Sequence, residues 1–205
     1  MHPSWIKYKK DYGSYLKIEK ALSPNSVEAY LRDVDKLMQY LEHIDSEKKP
    51  HDITLSDLQR MVRWVSEMGI AARSQARIIS GLRNFFFFLI LEDEITDDPS
   101  ELLELPKIGK KLPEVMSKEE IDDLKAAIDM SKEQGHRNRA IIETLYSCGL
   151  RVSELINLKI SNIYDDEGFM RVIGKGNKER LVPLSPVVLK EIEIYRDLVR
   201  SHQEI

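Results

Sequence analysis

Residues 148–155 read CGLRVSEL and residues 172–184 read VIGKGNKERLVPL, and these two segments decide the fold of the second half of the chain. Gly149 follows a helical pattern of apolar residues and stands where a helix ends in the left-handed conformation. The β-type runs 169–173 and 180–184 flank a glycine-rich, turn-forming segment, which predicts a hairpin. The second half therefore combines helices with a small β-hairpin.

Helix signals extend on both sides of these segments. Four helices are predicted, from Ser117 to about Met130, from about Arg137 to Gly149, from Arg151 to Leu158, and from Ser185-Pro186 to the chain end. The segment PKIGKKLP at residues 106–113 holds two prolines and a glycine, which prevent a continuous helix. We interpret it as a linker between a first domain, residues 1–105, and a second domain, residues 114–205.

Four helical patterns fill the first half. They lie around Trp5 to Leu16, from Ser23-Pro24 to Leu41, from Thr54 to Met68-Gly69, and from about Arg73 to Glu92. Ser23 supplies an N-cap that proline follows, and Thr54 with Asp57 forms a capping box. In the second helix the polar residues left for solvent or a ligand are Asn25, Ser26, Arg32, Asp33 and Lys36.

The fourth helix has two distinct faces. Its predicted buried residues are Ile78, Ile79, Leu82, Phe85, Phe86 and Leu89. Its other face carries Arg73, Arg77, Ser80 and Asn84 at positions i, i+4, i+7 and i+11, which aligns two cations and two hydrogen-bonding side chains. Such a stripe fits a ligand surface, and the alternative is a solvated helix face without a specific role.

Composition predicts a globular protein of one or two cores, because 42% of the 205 residues are hydrophobic and 32% are charged. Residues 92–104 hold seven acids and no base, so the net charge of −4 conceals +3 on the remaining chain. The longest apolar run has seven residues and no signal peptide is evident, which predicts a cytoplasmic protein. The single cysteine excludes an intrachain disulfide, and no metal site is indicated.

The two quoted segments, with Lys175 following Arg151 by 24 residues, closely resemble the tyrosine recombinase family, and its Xer group in particular. The resemblance spans essentially the whole chain, because the start of the Ser23 helix, the Arg73 helix and the linker occur in the family's order. It implies a mainly α fold with a small β-hairpin or sheet. A helical, SAM-like core-binding domain would precede the N-terminal part of the α/β catalytic domain.

What the resemblance implies for function is site-specific DNA recombination. Family members clamp duplex DNA as tetramers, and a tyrosine attacks the scissile phosphate to leave a 3'-phosphotyrosyl link without metal, ATP or another cofactor. The expected partners are therefore duplex DNA and homologous recombinase subunits, with no membrane. The expected DNA contacts lie on two helices facing the major groove, at Asn25, Ser26, Arg73, Ser74, Arg77, Ser80 and Asn84.

The catalytic candidates are Arg151 and Lys175, with Glu154 in support. A metal-free site must place fixed cations at the charged transition state, and the planar fork of arginine suits a phosphate. Lys175 is the candidate acid that protonates the departing 5'-oxygen. Glu154 occupies the acidic position common in the family and is expected to orient the site. Taken singly, Lys175 could be a solvated turn residue, and Arg151 could merely form a surface ion pair with Glu154.

The family's remaining active-site parts, including the tyrosine, are expected downstream of the hairpin and helices. None of the eight tyrosines stands at the expected place, so the chain as given is predicted not to cleave DNA alone, and to be less stable or self-associating. His136 and Arg139 spell a His-x-x-Arg box, which we treat as coincidence because it precedes Arg151. Two alternatives remain, a non-catalytic DNA-binding module or regulator and a helical protein-interaction domain.

Overall fold

The computed structural model describes residues 2–109 and 112–200, and the chain divides into two compact units, Met1–Lys111 and Leu112–Ile205. Residues 110 and 111 of the predicted linker lie outside the described residues, as does the predicted last helix beyond residue 200. In the described part of residues 106–113 the chain forms neither helix nor strand. No helix in the described ranges is long and apolar enough to cross a membrane.

The described part of the first unit contains four α-helices. They are α1 (Ser4–Ile18), α2 (Pro24–His43), α3 (Leu55–Glu67) and α4 (Ala72–Leu91), with a 3₁₀ turn at Pro50–Asp52. The Ser23 side chain accepts from the Ser26 amide at the start of α2, and Thr54 and Asp57 form the capping box of α3. These predicted helix starts are confirmed.

The core of the first unit is aromatic and centres on α4. Phe85 is fully buried, with its ring 5.3 Å from that of Tyr12 and 5.5 Å from that of Phe86. The six apolar α4 residues predicted to be buried are all buried, which confirms that face of the helix. Phe87, in the same run of four phenylalanines, is exposed. The helical period of 3.6 residues therefore turns one phenylalanine of the run outward.

The segment after α4 is fixed to that helix. Arg83 donates to the carbonyl oxygens of Ser100 and Leu103, at 3.4 and 2.6 Å. Leu103 belongs to the core cluster of the first unit and is 2% exposed. The ordered packing of this unit thus continues to within a few residues of the predicted linker.

Asp33 corrects one prediction, because the sequence pattern left it for solvent or a ligand and the structure buries it. It lies where α2 packs on α4, and it is 1% exposed. A Cβ built on Gly81 would come 2.6 Å from Asp33 Cγ, so only the absence of a side chain at residue 81 leaves room for the carboxylate. Its charge is met by a fork from Arg77, with Nη1 at 2.9 Å from Oδ2 and Nη2 at 2.5 Å from Oδ1.

The described part of the second unit combines four α-helices with a three-stranded antiparallel sheet in the order β1-β2-β3. The helices are α5 (Lys118–Ala126), α6 (Glu133–Cys148), α7 (Val152–Ile156) and α8 (Pro186–Leu198), and the strands are β1 (Ile163–Tyr164), β2 (Phe169–Ile173) and β3 (Glu179–Pro183). The predicted hairpin is confirmed as β2 and β3, in which Val172 pairs with Arg180. The two-residue strand β1 was not predicted.

The predicted helix boundaries differ most from the structure where α5 ends and α6 begins. Helix α5 ends at Ala126 and not near Met130, and α6 begins at Glu133 and not near Arg137. Between them, Asp129 accepts hydrogen bonds from the Ser131 amide and hydroxyl. This local turn competes with helix at the end of α5 and lets the next helix begin early.

Candidate functional site

Arg151 stands where the chain changes direction between α6 and α7. Gly149 ends α6 with φ 58° and ψ 35°, which confirms the predicted left-handed residue. Leu150 is then buried with Met170, Val172 and Val182 of the sheet. Arg151 follows in extended conformation as the N-cap of α7, with 69% of its side chain exposed. The backbone therefore fixes the position of the Arg151 Cα, while the guanidinium group stays accessible to solvent.

Glu154 holds Arg151 from within the first turn of α7. Its Oε2 accepts the backbone N–H of Arg151 at 2.9 Å, and its Oε1 accepts Nη1 of the same residue at 2.8 Å. The side chain of Glu154 is only 3% exposed. The ion pair considered from the sequence exists, but its carboxylate is buried and is not on the surface.

Arg180 of β3 is the residue that the sequence interpretation missed. Its Nη1 donates to Glu154 Oε1 at 2.9 Å and its Nη2 to Glu154 Oε2 at 2.8 Å. The pKa of Glu154 is held well below its usual range, chiefly by Arg180 and then by the Arg151 amide. In the sequence, the only signal for Arg180 was that it is a charged residue in a strand next to the turn that carries Lys175.

The turn that carries Lys175 packs against this cluster. The Gly174 amide donates to the Lys178 carbonyl at 2.8 Å, and residues 175–177 form a 3₁₀ turn in which Gly176 has φ 74°. A Cβ on Gly174 would lie 3.1 Å from Glu154 Oε1 and 3.3 Å from Arg180 Nη1. Lys175, the next residue, is exposed. The structure thus brings the Lys175 turn to the carboxylate that also holds Arg151.

Chemically, the cluster is a set of cations around one buried anion. Two guanidinium groups share a single carboxylate, which leaves a net charge of +1 before Lys175 is counted. Nε and Nη2 of Arg151 are not used in its bonds to Glu154. These N–H groups lie on an exposed side chain and suit a phosphate oxygen.

The predicted contacts in the first unit fall into two groups. All seven are exposed except Ser26 and Asn84, which are half-buried. Four of the seven have internal hydrogen bonds, Ser26 with Ser23, Arg77 with Asp33, Ser80 with the Ala76 carbonyl, and Asn84 with the Tyr12 hydroxyl. Arg77 and Asn84 therefore contribute to packing, whatever else they contact.

Asp33 gives the first unit a pH dependence. Burial raises the pKa of Asp33 to about 6 and outweighs the opposing contacts with Arg77. A carboxyl whose pKa is raised on folding stabilises the fold below its unfolded value, and this contribution is lost as pH rises through the folded pKa. We expect this group alone to add about 1 kcal/mol to the free energy of unfolding when pH falls from 7 to 5. Urea unfolding followed by the fluorescence of Trp5 and Trp64 measures it.

The control for this prediction is Asp33→Asn, which should lack the gain. Asp57, in the same unit, has a lowered pKa because bonds from Lys48 and Thr54 overcome its burial. Its stabilising effect is lost only below about pH 4, so it is constant across this window. Equal pH dependence in the parent chain and in Asp33→Asn would refute the assignment.

Comparison with known proteins follows the same division of the chain. Residues 10–93 match the model of the phage integrase N-terminal SAM-like domain, and residues 114–204 match the model of the phage integrase family. Tyrosine recombinase XerD of Staphylococcus haemolyticus is 39% identical over 197 residues, which are 94% of this chain and 65% of that protein. XerD of Staphylococcus aureus strain Mu50 is 40% identical over 192 residues, with 93% and 64% covered. The chain thus spans 64–65% of the length of these relatives.

Solved structures show the same fold. A lambda integrase dimer bound to a COC' core site aligns with a TM-score of 0.76 at 20% identity, over 94% of this chain and 69% of that one. XerH bound to a palindromic difH substrate aligns with a TM-score of 0.64 at 22% identity, over 93% and 58%. A SAM-like helical unit followed by this α/β unit defines the integrase class of proteins. The chain belongs to the tyrosine recombinase, or phage integrase, family, and its sequence similarity is to the Xer group.

Proposed function

We propose that this chain grips duplex DNA and supplies phosphate-binding cations to a site-specific recombinase, which in its complete form cleaves and rejoins strands through a 3'-phosphotyrosyl intermediate. The observation that carries the proposal is the cluster at Glu154, where Arg151 is held by a buried carboxylate beside the Lys175 turn. We assign no tyrosine of this chain as the nucleophile. The partners proposed are duplex DNA and further recombinase subunits, assembled as tetramers.

Arg151 would bind a non-bridging oxygen of the scissile phosphate. Attack at phosphorus increases the charge on these oxygens, and a fixed guanidinium stabilises that charge without reorganising during the reaction. Its fork is already oriented by Glu154, so little side-chain entropy is lost when a phosphate arrives. Arg151 therefore acts as a phosphate clamp in the proposed reaction.

Lys175 would deliver the proton that the departing 5'-oxygen needs. An alkoxide is a poor leaving group, and a general acid that protonates it contributes about 10²–10⁴-fold to the rate. Lys175 lies on an exposed turn whose base contacts the Arg151 cluster, so both cations can serve one phosphate. The first unit would bind DNA through its predicted contacts, of which Asn25, Arg73, Ser74, Arg77 and Ser80 are exposed.

The test is duplex DNA binding across a salt series. Each phosphate contact adds about 0.9 to the slope of log affinity against log salt, so Arg151→Ala and Lys175→Ala should each lower that slope by about 1. The matched control is Lys132→Ala, an exposed lysine of the same unit paired with Asp129. Lys132→Ala should leave the slope unchanged. Arg73→Ala removes a predicted DNA contact of the first unit and so extends the test to that unit.

The outcomes separate clearly. Affinity that does not change with salt would exclude phosphate binding by the chain altogether. A loss in Lys132→Ala as large as that in Arg151→Ala would show that charge anywhere on the unit suffices. Either result would overturn the proposed site.

A further inference from the structure

We propose that Arg180 is a positioning residue for this phosphate site, which acts by fixing Glu154 and, through it, the guanidinium of Arg151. The inference rests on the proposed function and assigns a role to a residue that touches no phosphate in the proposal. Arg180 lies on β3, while Arg151 and Glu154 lie at the start of α7. A strand residue thereby determines the geometry of a helix-terminal cation.

The geometry of the carboxylate supports this role. Each oxygen of Glu154 accepts two hydrogen bonds, one from Arg180 and one from Arg151. Arg180 spans both oxygens, as do the backbone amide and Nη1 of Arg151, so the plane of the carboxylate is fixed by two pairs of donors together. Once that plane is set, Nη1 and the backbone amide of Arg151 have defined acceptors. The orientation of Arg151 then depends on Arg180 as well as on its own backbone amide.

Exposure distinguishes the two arginines. The Arg151 side chain is 69% exposed and uses one of its guanidinium nitrogens on Glu154. The Arg180 side chain is 38% exposed and turns both terminal nitrogens toward Glu154. Arg151 is therefore the group that can bind an incoming anion, and Arg180 the group committed to the protein.

Charge explains why one arginine alone would serve poorly. A lone Arg151 on Glu154 would form a neutral pair, with its attraction for phosphate largely cancelled by the neighbouring carboxylate. With Arg180 present, the carboxylate is shared and the cluster retains a positive charge. Arg180 also contacts the base of the Lys175 turn, since a Cβ on Gly174 would lie 3.3 Å from its Nη1. One side chain thus links both cation-bearing segments.

Replacing Arg180 with lysine separates position from charge. Arg180→Lys keeps the positive charge but replaces the planar two-nitrogen fork with a single nitrogen, so the parallel pair of hydrogen bonds is lost. We expect Arg180→Lys to weaken duplex binding at least about threefold. The factor by which Arg151→Ala weakens duplex binding should be at least about threefold smaller in the Arg180→Lys background than in the parent chain. The matched control is Arg171→Lys on the adjacent strand β2, because Arg171 donates to Asn162 and not to Glu154. In this background Arg151→Ala should weaken duplex binding by the same factor as in the parent chain.

A measurement without DNA tests the same contact. The Arg151 amide donates to Glu154 Oε2, so its hydrogen exchange should accelerate in Arg180→Lys. The amides of the β2–β3 ladder should keep their protection, which shows that the unit remains folded. If Arg180→Lys does not fold, Glu154→Gln is the second variant. It raises the net positive charge but breaks the shared carboxylate, and Arg151→Ala should again cost less in its background.

The results that overturn the proposal differ from those that overturn the function. If Arg180→Lys binds duplex as the parent chain does, charge is sufficient and positioning is refuted. If Arg151→Ala costs the same in every background, Arg180 does not act through Arg151. If Arg151→Ala has no effect on duplex binding in the parent chain, the proposed function itself fails.

Discussion

Replacing Phe85 with alanine is expected to destabilise the first unit by about 3–5 kcal/mol, the range for removing a buried phenylalanine. The Phe85 ring is fully buried and lies against Trp5, Tyr12, Phe86 and Phe88. Alanine would leave a cavity lined by rigid rings, which cannot easily collapse to fill it. Urea unfolding followed by tryptophan fluorescence reports this directly, because both tryptophans lie in the first unit.

The control lies two residues along the same helix. Phe87 is 46% exposed, and Phe87→Ala should change the free energy of unfolding by no more than about 0.5 kcal/mol. The two substitutions delete the same atoms, so the difference isolates burial. Similar losses of unfolding free energy in the two variants would mean that α4 is rotated about its own axis and buries a different face.

Gly81→Ala is the second substitution with a large expected effect. A Cβ at residue 81 would meet Asp33 Cγ at 2.6 Å and Asp33 Cβ at 2.8 Å. Real Cβ atoms do not approach other atoms so closely, so α2 and α4 must separate or Asp33 must leave its site and its bonds with Arg77. We expect a loss of about 3 kcal/mol in the free energy of unfolding, at the upper end for overpacking.

Gly13→Ala is the matched control, since Gly13 is also a glycine within a helix. A Cβ there would lie 3.6 Å from Leu31, an ordinary contact. Alanine favours helix over glycine by about 0.5–1 kcal/mol, so Gly13→Ala should be neutral or stabilising. Urea unfolding of both variants gives the comparison. A Gly81→Ala chain as stable as Gly13→Ala would show that the two helices are not in close contact at Asp33.

The sequence predicted the features that depend on local spacing. The buried face of α4, the helix starts at Ser23 and Thr54, the left-handed Gly149 and the β2–β3 hairpin all follow from periodicity, capping and turn chemistry. Each of these signals lies within a few residues of the structure it determines. Together with the family resemblance, they were sufficient for the fold class, which is mainly α with a small sheet.

What the sequence could not predict depends on pairs that are distant along the chain. Asp33 and Arg77 are 44 residues apart, and Glu154 and Arg180 are 26 apart. Helical periodicity placed Asp33 on the polar face of α2, because it cannot show that a glycine on another helix leaves room for a carboxylate. For the same reason Arg180 was assigned to a strand but not to the site.

The left-handed backbone at Gly149 has a consequence for judging relatives of this chain. The direction in which Arg151 leaves α6 is set by a residue without a side chain, at φ 58°. A homologue could keep every charged group of the cluster and yet carry valine or isoleucine at this point, where that geometry is strongly disfavoured. Such a protein should be classed as having lost the proposed phosphate clamp, although all its ionisable residues would be present.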